Sequence, residues 1–257
     1  MKKLIAILAA AVLLALTGCG INADEPAPTE ETTAETTGRS LEEIFAKIRT
    51  ESLAGYSISV SELPEGTHEV PADWTGFTDS GISLKLPAEP EASVEDDVTT
   101  FNLKVDGSDA ELIFESTEAA EKRLGDAVIT LDSRIDVYQA AFEKLGIPFD
   151  GTKASLYRAL LTVTPDDVDN ADDETRSTLI EMGTKLLYID EAYIIEKEDA
   201  EVFIFHHRIP AADEGKDKEF YEALIFDSDD KQRDVRVFCD DKDTALRIAA
   251  TADIAER

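Results

Sequence analysis

Val202-Phe203-Ile204-Phe205 is a short stretch in which both alternating sets of side chains are apolar. Successive side chains of a β-strand point to opposite faces of the sheet, so a strand of this composition must be covered on both faces. The stretch therefore predicts a central strand over residues 202–208, with a packed layer on each side of it.

Other strand-like segments lie on both sides of this stretch along the chain. Two hairpins are expected, the first pairing Tyr193–Glu196 with 202–208 and the second pairing Tyr221–Phe226 with Asp234–Cys239. Small and acidic residues between the paired segments supply the turns. Earlier in the chain, the same criteria predict four more strands: Tyr56–Val60, Ile82–Leu86, Thr99–Val105 and Ala110–Phe114.

Helical periodicity appears before, between and after these strands. Helices are expected from Ser40, from Ser133 to Gly146, and over Leu156–Val163, Thr175–Tyr188 and Asp243–Ile254. Thr164-Pro165 is expected to end the third of these, and Ala245, Ala249 and Ala252 give the last one a small-residue face. Strands, then helices, then hairpins indicate an α+β fold, an antiparallel sheet with helices packed on it, in one domain of residues 40–257.

Two parts of this domain resemble PsbP/Mog1-like domains. Gly81-Ile82-Ser83-Leu84-Lys85-Leu86-Pro87 looks like their opening strand, and the hairpin and helix from Tyr221 to Ile254 are similar to their last elements. The resemblance covers residues 78–257 and implies an α/β/α sandwich with an antiparallel sheet. Members of that fold act mainly in binding and assembly, so it also implies a binding role. It assigns no functional residue.

The N-terminus has the organisation of a secretory leader. Two lysines precede 13 unbroken apolar residues, Leu4 to Leu16, whereas about 20 are needed to span a bilayer. The following Leu16-Thr17-Gly18-Cys19 string resembles the lipobox of bacterial lipoproteins. It implies that residues 1–18 are a signal peptide and that lipid on Cys19 anchors the chain to the extracytoplasmic face of the cell membrane. The alternative is an ordinary signal peptide with a chance cysteine.

Residues 19–39 are expected to form a disordered tether behind that cysteine. The segment is rich in threonine, proline and acids and has almost no large apolar side chain, so it cannot offset the entropy of ordering. A flexible chain of this length has a root-mean-square span of about 25 Å. A stalk that lifts the domain off the lipid and a merely tolerated linker predict the same composition.

The chain is strongly acidic, with 25 basic and 56 acidic residues and a net charge of −31. No basic patch of the kind that neutralises phosphates stands out, which argues against nucleic acid or an anionic lipid surface as a direct partner. The membrane contact is therefore expected through the lipid on Cys19, and the domain is expected to meet a protein or the cell wall.

Few residues stand out as a chemical site. His206 and His207 are adjacent on a strand and point to opposite faces, so they cannot readily share a metal, and His68 lies alone in a polar loop. All three are interpreted as structural. Cys239, on one face with Val235 and Val237, is interpreted as a small buried hydrophobe. Zinc, P-loop, dinucleotide and nucleophile-elbow motifs are absent from the sequence, so no catalytic residue or cofactor is assigned.

Two weaker candidates remain. Hard oxygen ligands suit Ca²⁺, and the densest run of them holds the calcium candidates Asp166, Asp167, Asp169, Asn170 and Asp172. An EF-hand-like alignment fails at Thr175, where glycine is needed, so an acidic loop that caps the next helix is the favoured interpretation. Trp74 and Phe77 would mark a binding surface if they are exposed, and core if they are covered.

These observations favour a non-enzymatic envelope lipoprotein whose domain binds a protein or wall partner. A solute-binding receptor of a transporter is one alternative, although its usual two lobes need alternating strand–helix units. An envelope hydrolase is another, because the many carboxylates leave a general acid/base pair open.

The lipobox predicts the mass of the mature protein. Intact-mass spectrometry of the chain from its host should find residues 19–257 plus a diacylglyceryl group. Such a group carries two acyl chains, which anchor a protein stably where one chain is marginal. Cys19→Ser should lose the lipid mass, and the control Cys239→Ser should keep it. A mature chain with a free thiol at Cys19 would contradict the prediction.

Overall fold

The computed structural model describes residues 41–95, 98–105, 108–116, 134–211 and 216–255. The predicted signal peptide, residues 1–18, and the lipidated Cys19 with its tether to residue 39 lie outside this part of the chain. Among the helices it contains, none is both long and apolar enough to cross a membrane.

The described elements follow one another as helix, strands, helices, strands and helix. In chain order they are α1 (Leu41–Ala54), β1 (Thr75–Asp79), β2 (Ile82–Leu86), β3 (Glu91–Glu95), β4 (Val98–Val105), β5 (Ser108–Ser116), α2 (Ile135–Leu145), α3 (Lys153–Leu160), α4 (Pro165–Asn170), α5 (Asp173–Gly183), β6 (Ile189–Glu196), β7 (Ala200–Ile209), β8 (Lys218–Asp227), β9 (Gln232–Cys239), α6 (Lys242–Ala250) and β10 (Asp253–Ile254). Short 3₁₀ turns follow α1 and α5.

Seven of the strands form the main sheet in the order β3-β4-β5-β9-β8-β7-β6, and every neighbouring pair is antiparallel. Both predicted hairpins are present, as β6–β7 and β8–β9. The strand predicted from Val202–Phe205 is β7. It is paired on both sides and buried on both faces, although it lies one strand in from the edge rather than in the middle of the sheet.

Helices α1 to α5 cover one face of the main sheet. Phe203 and Phe205 point into this layer together with Phe226 and meet the apolar faces of the helices. The helices lie very close to one another: a Cβ at Gly183 of α5 would be 2.6 Å from the carbonyl oxygen of Ser52 in α1. Glycine is therefore required at that crossing, because any side chain would push the two helices apart.

Helix α6 and a small antiparallel sheet, β1-β2-β10, cover the other face. Val202 and Ile204 point to this side. Ala245 and Ala249 are buried here on the small-residue face predicted for the last helix, and Ala252 is buried just beyond the end of that helix. The fold is thus the predicted α+β class, with one outer layer of helices and one outer layer of a helix plus a small sheet.

Several predicted elements were wrong in kind or in length. Tyr56–Val60 is a 3₁₀ turn and a single β-bridge, because the Tyr56 hydroxyl donates to the Leu179 carbonyl and holds the segment against α5. Helix α3 already ends at Leu160, and Thr164-Pro165 instead begins α4, since proline suits the first helical turn and Thr164 forms a capping box with Asp167. The last helix ends at Ala250, and β1, β3 and β10 were not predicted.

Truncation of the buried face of β7 should be costly. Phe203→Ala is expected to lower the free energy of unfolding of the full-length chain by about 3–5 kcal/mol in urea denaturation, since the side chain is fully buried. Val94→Ala on β3 is the control, because Val94 is 71% exposed and its truncation should change stability by about 0.5 kcal/mol or less. Similar losses in both variants would contradict this account of the core.

Candidate functional site

An open cavity of ≈ 700 Å³ lies beside β6, on the face covered by α1 to α5. Its apolar lining comes from the segment after α1, the α2–α3 connection, the end of α3 and β6: Val60, Pro148, Phe149, Ala159, Leu161 and Ile194. Its polar lining is Asp150, Ser155, Arg158 and Thr162. Val60 is 44% exposed, so part of the apolar lining is accessible to solvent.

The edge of the main sheet runs along this cavity. The Ser61 backbone N–H donates to the Ala192 carbonyl at 2.9 Å, so the backbone groups of Ala192 point away from β7. Strand alternation then points those of Ile194 outward as well. Within the described chain, no backbone hydrogen bond from another segment reaches Ile194 on that side. The edge is therefore open to an added strand at the position where Ile194 lines the cavity.

The rim of the cavity is acidic despite one arginine. Arg158 pairs through Nη2 with Glu196 Oε1 at 2.8 Å and through Nε with Glu201 Oε1 at 2.5 Å. Burial raises the pKa of Glu201 above its ordinary value, and the adjacent guanidinium opposes that shift. Asp150 is the acid that lines the cavity itself, and Glu196 and Glu201 lie next to the cavity through their pairs with Arg158. The cavity thus combines apolar walls with an excess of negative charge.

A second cluster lies on the opposite face, at the start of β6. Asp190, Glu191 and His206 place one ligand atom each within 4.8 Å of one another. Across the described residues, this is the one group of three or more His, Cys, Asp or Glu side chains with that spacing. Sequence analysis did not single out these acids, which are two among many in an acidic chain.

The two histidines point to opposite faces, as predicted. His206 contacts Asp190 through Nδ1 at 2.5 Å and its ring lies 4.8 Å from that of Tyr221. His207, on the helical face, contacts Glu222 through Nε2 at 3.1 Å and stacks on Phe220.

The calcium candidates of residues 166–172 lie around the junction of α4 and α5. Asp167 shares the capping box of α4, and Asp172 caps α5 by accepting from the Thr175 N–H at 2.8 Å. Lys144 reaches Asp172 at 3.0 Å. Asp167 and Asp172 therefore cap helices, which is the role favoured for this acidic run. Calcium binding by Asp166, Asp167, Asp169, Asn170 and Asp172 stays a prediction.

Trp74 and Phe77 are both half-buried against the core between the two sheets. The Phe77 ring lies 5.0 Å from that of Phe101 and 5.8 Å from that of Phe114. Their packing accounts for most of their apolar surface, and a binding role for the pair stays a prediction. Cys239 packs against the same core but is half-buried rather than fully covered.

No protein-family model matches the sequence, and no curated protein is significantly similar to it. Neither comparison assigns a family, an activity or a ligand.

The capping role of Asp172 predicts a pH effect. The Thr175 N–H and then Lys144 lower the pKa of Asp172 from 3.8 to about 2, so its charge stabilises the fold above pH 3.8 and this contribution is lost as the pH falls to about 2. Asp172→Asn keeps a capping oxygen without the charge. The difference in urea midpoint between wild type and this variant should shrink over that range. Asp169→Asn, which removes a charge but no helix cap, is the control for the loss of charge alone; a difference for Asp172→Asn that does not change with pH would contradict the assignment.

Proposed function

We propose that this protein is a lipid-anchored binding protein on the extracytoplasmic face of the cell membrane, and that it binds an extended segment of a partner protein along β6. The observation that carries the proposal is the open edge at Ile194 beside the apolar cavity. Outward backbone groups and an adjacent pocket are the two components of recognition by strand addition.

The two components divide the recognition between them. Main-chain hydrogen bonds to Ile194 would supply affinity for any extended chain, whereas the cavity would select an apolar side chain that enters between Phe149 and Leu161. The acidic rim favours lysine or arginine next to that apolar residue, because an extended acidic segment would meet Asp150 and Glu196.

The cellular location in this proposal comes from the N-terminus. The Leu16-Thr17-Gly18-Cys19 string supports lipidation at Cys19, and the composition of residues 20–39 supports a tether of about 25 Å. A domain held in this way by lipid needs no charged surface of its own against the membrane, in keeping with its net charge of −31. It remains free to turn the edge of β6 toward a neighbouring protein.

Site-specific crosslinking on intact cells tests this function. A photoreactive amino acid at Thr162, which is exposed on the cavity rim, should capture one specific protein. The same group at Val94, on β3 at the other edge of the main sheet, is the control and should not capture it. Identical adducts from both positions, or adducts with cell-wall material or small metabolites alone, would contradict binding of a protein segment.

The backbone contribution can be tested separately. Ile194→Pro removes the outward N–H, and proline is tolerated on edge strands where that group faces solvent. The crosslinking yield from Thr162 should fall several-fold, as expected for a hydrogen bond of about 0.5–1.5 kcal/mol. Ile194→Val keeps the N–H and should retain the yield, and thermal denaturation of the full-length variants shows whether both stay folded. Full crosslinking by a folded Ile194→Pro variant would rule out strand addition at this position.

A further inference from the structure

The carboxylate–imidazole cluster has no part in the proposed strand addition, because it lies on the other face of the main sheet. We propose that Asp190, Glu191 and His206 bind one divalent first-row transition-metal ion, for which Zn²⁺ is the probe. The ligand atoms would be His206 Nδ1 and one carboxylate oxygen from each acid, which already lie within 4.8 Å of one another.

A β-bulge is the reason that two successive acids reach the same imidazole. Pairing with β7 goes from Ile189 opposite His207 directly to Glu191 opposite His206, so Asp190 is an extra residue on β6. In a regular strand Asp190 and Glu191 would point to opposite faces. Bulges redirect side chains in this way and are common next to functional sites.

The hydrogen bonding of His206 points independently to a ligand. The side chain is 1% exposed, yet its Nε2 has no hydrogen-bond partner among the described residues, and the nearest carboxylate oxygen there, Glu219 Oε2, is 3.8 Å away. In the tautomer that carries its proton on Nδ1, the ring donates to Asp190 and the buried Nε2 is left without a partner, which is costly.

A metal at Nδ1 resolves this imbalance. The proton of the neutral ring would then lie on Nε2 and point toward Glu219. Metal-bound histidines commonly donate their second N–H to a carboxylate in this manner. The distance between Nε2 and Glu219 Oε2 needs to shorten by roughly 0.8 Å to reach a normal hydrogen bond. The ion would then occupy Nδ1, and Glu219 is the carboxylate within reach of the Nε2 proton.

The neighbouring lysine and arginine side chains do not neutralise all the carboxylate oxygens of the cluster. Arg208 holds Asp190 by Oδ2 at 3.2 Å, which leaves Oδ1, the atom that contacts His206, for the ion. Glu219 pairs with Arg208 and Lys242. Glu191 accepts hydrogen bonds from the hydroxyls of Tyr193 and Tyr221, and in the described part of the chain no lysine or arginine pairs with it.

The ligand types select the class of metal. One imidazole nitrogen with two carboxylate oxygens, on a surface where both acids are exposed, matches the three protein ligands and open water position of many zinc sites. Imidazole is a poor ligand for Ca²⁺ and Mg²⁺, which prefer oxygen throughout. Ligand atoms on a tetrahedral Zn²⁺ lie about 3.3 Å apart, so the contact between Asp190 and His206 must open by less than 1 Å, roughly, to admit the ion.

Titration calorimetry with ZnCl₂ and the metal-free full-length chain tests the proposal. We expect one equivalent of Zn²⁺ to bind and an excess of Mg²⁺ or Ca²⁺ not to displace it. Glu191→Gln should raise the dissociation constant about tenfold or more, in line with the sensitivity of metal sites to their carboxylates. Asp199→Asn, an exposed acid in the turn of the same hairpin, is the matched control and should bind as wild type does.

Nitrogen NMR of the histidine side chains provides a measurement that does not depend on a variant of the buried residue. Zn²⁺ should shift the Nδ1 resonance of His206 and leave that of His68, which is exposed in a distant loop, unchanged. The proposal is overturned if wild type binds no Zn²⁺, if Glu191→Gln binds as tightly as Asp199→Asn, or if the shifted resonance is that of His68. None of these results bears on crosslinking from Thr162, so the two proposals can fail separately.

Discussion

Burial of β7 on both faces is the constraint on which the other layers of the structure depend. Its four apolar residues, Val202 to Phe205, leave no face that water can cover, so the chain supplies helices on one side and α6 with the small sheet on the other. His206, His207 and Arg208 follow in the same strand, and there each face carries a different set of polar contacts. His206 meets acids of the bulge and His207 meets Glu222.

The sequence predicted the parts of the fold whose signals are local. Phe203 and its neighbours identify β7, and the spacing of Ala245 and Ala249 identifies the buried side of α6. Strand β1 was missed because Thr75–Asp79 is polar and half-exposed, and its strand form depends on pairing with β2. Strand β10 was missed because two residues with a helical pattern before them give no strand signal, and tertiary pairing alone decides their conformation.

The two candidate sites could not be predicted from local sequence patterns, because each one is formed by residues that only the tertiary fold brings together. Val60 and Ile194 line one cavity although more than a hundred residues separate them, and no periodicity encodes that approach. Asp190 and Glu191 are two acids among 56, and only the bulge that brings both to His206 makes them distinctive. Sequence analysis did place His206 and His207 on opposite faces, because that follows from strand geometry alone.

The two outer strands of the main sheet also bear on how copies of this protein behave together. Strand β3 begins and ends with glutamate, and β6 ends in Glu196 just before the acidic turn at Glu198 and Asp199. Two molecules that met edge to edge would bring these like charges together, which is how natural sheets prevent aggregation. The proposed confinement to a membrane surface would raise the frequency of such encounters. The acidity of these strands would then keep crowded neighbours from joining their sheets, while a cationic strand from another protein would meet no such barrier.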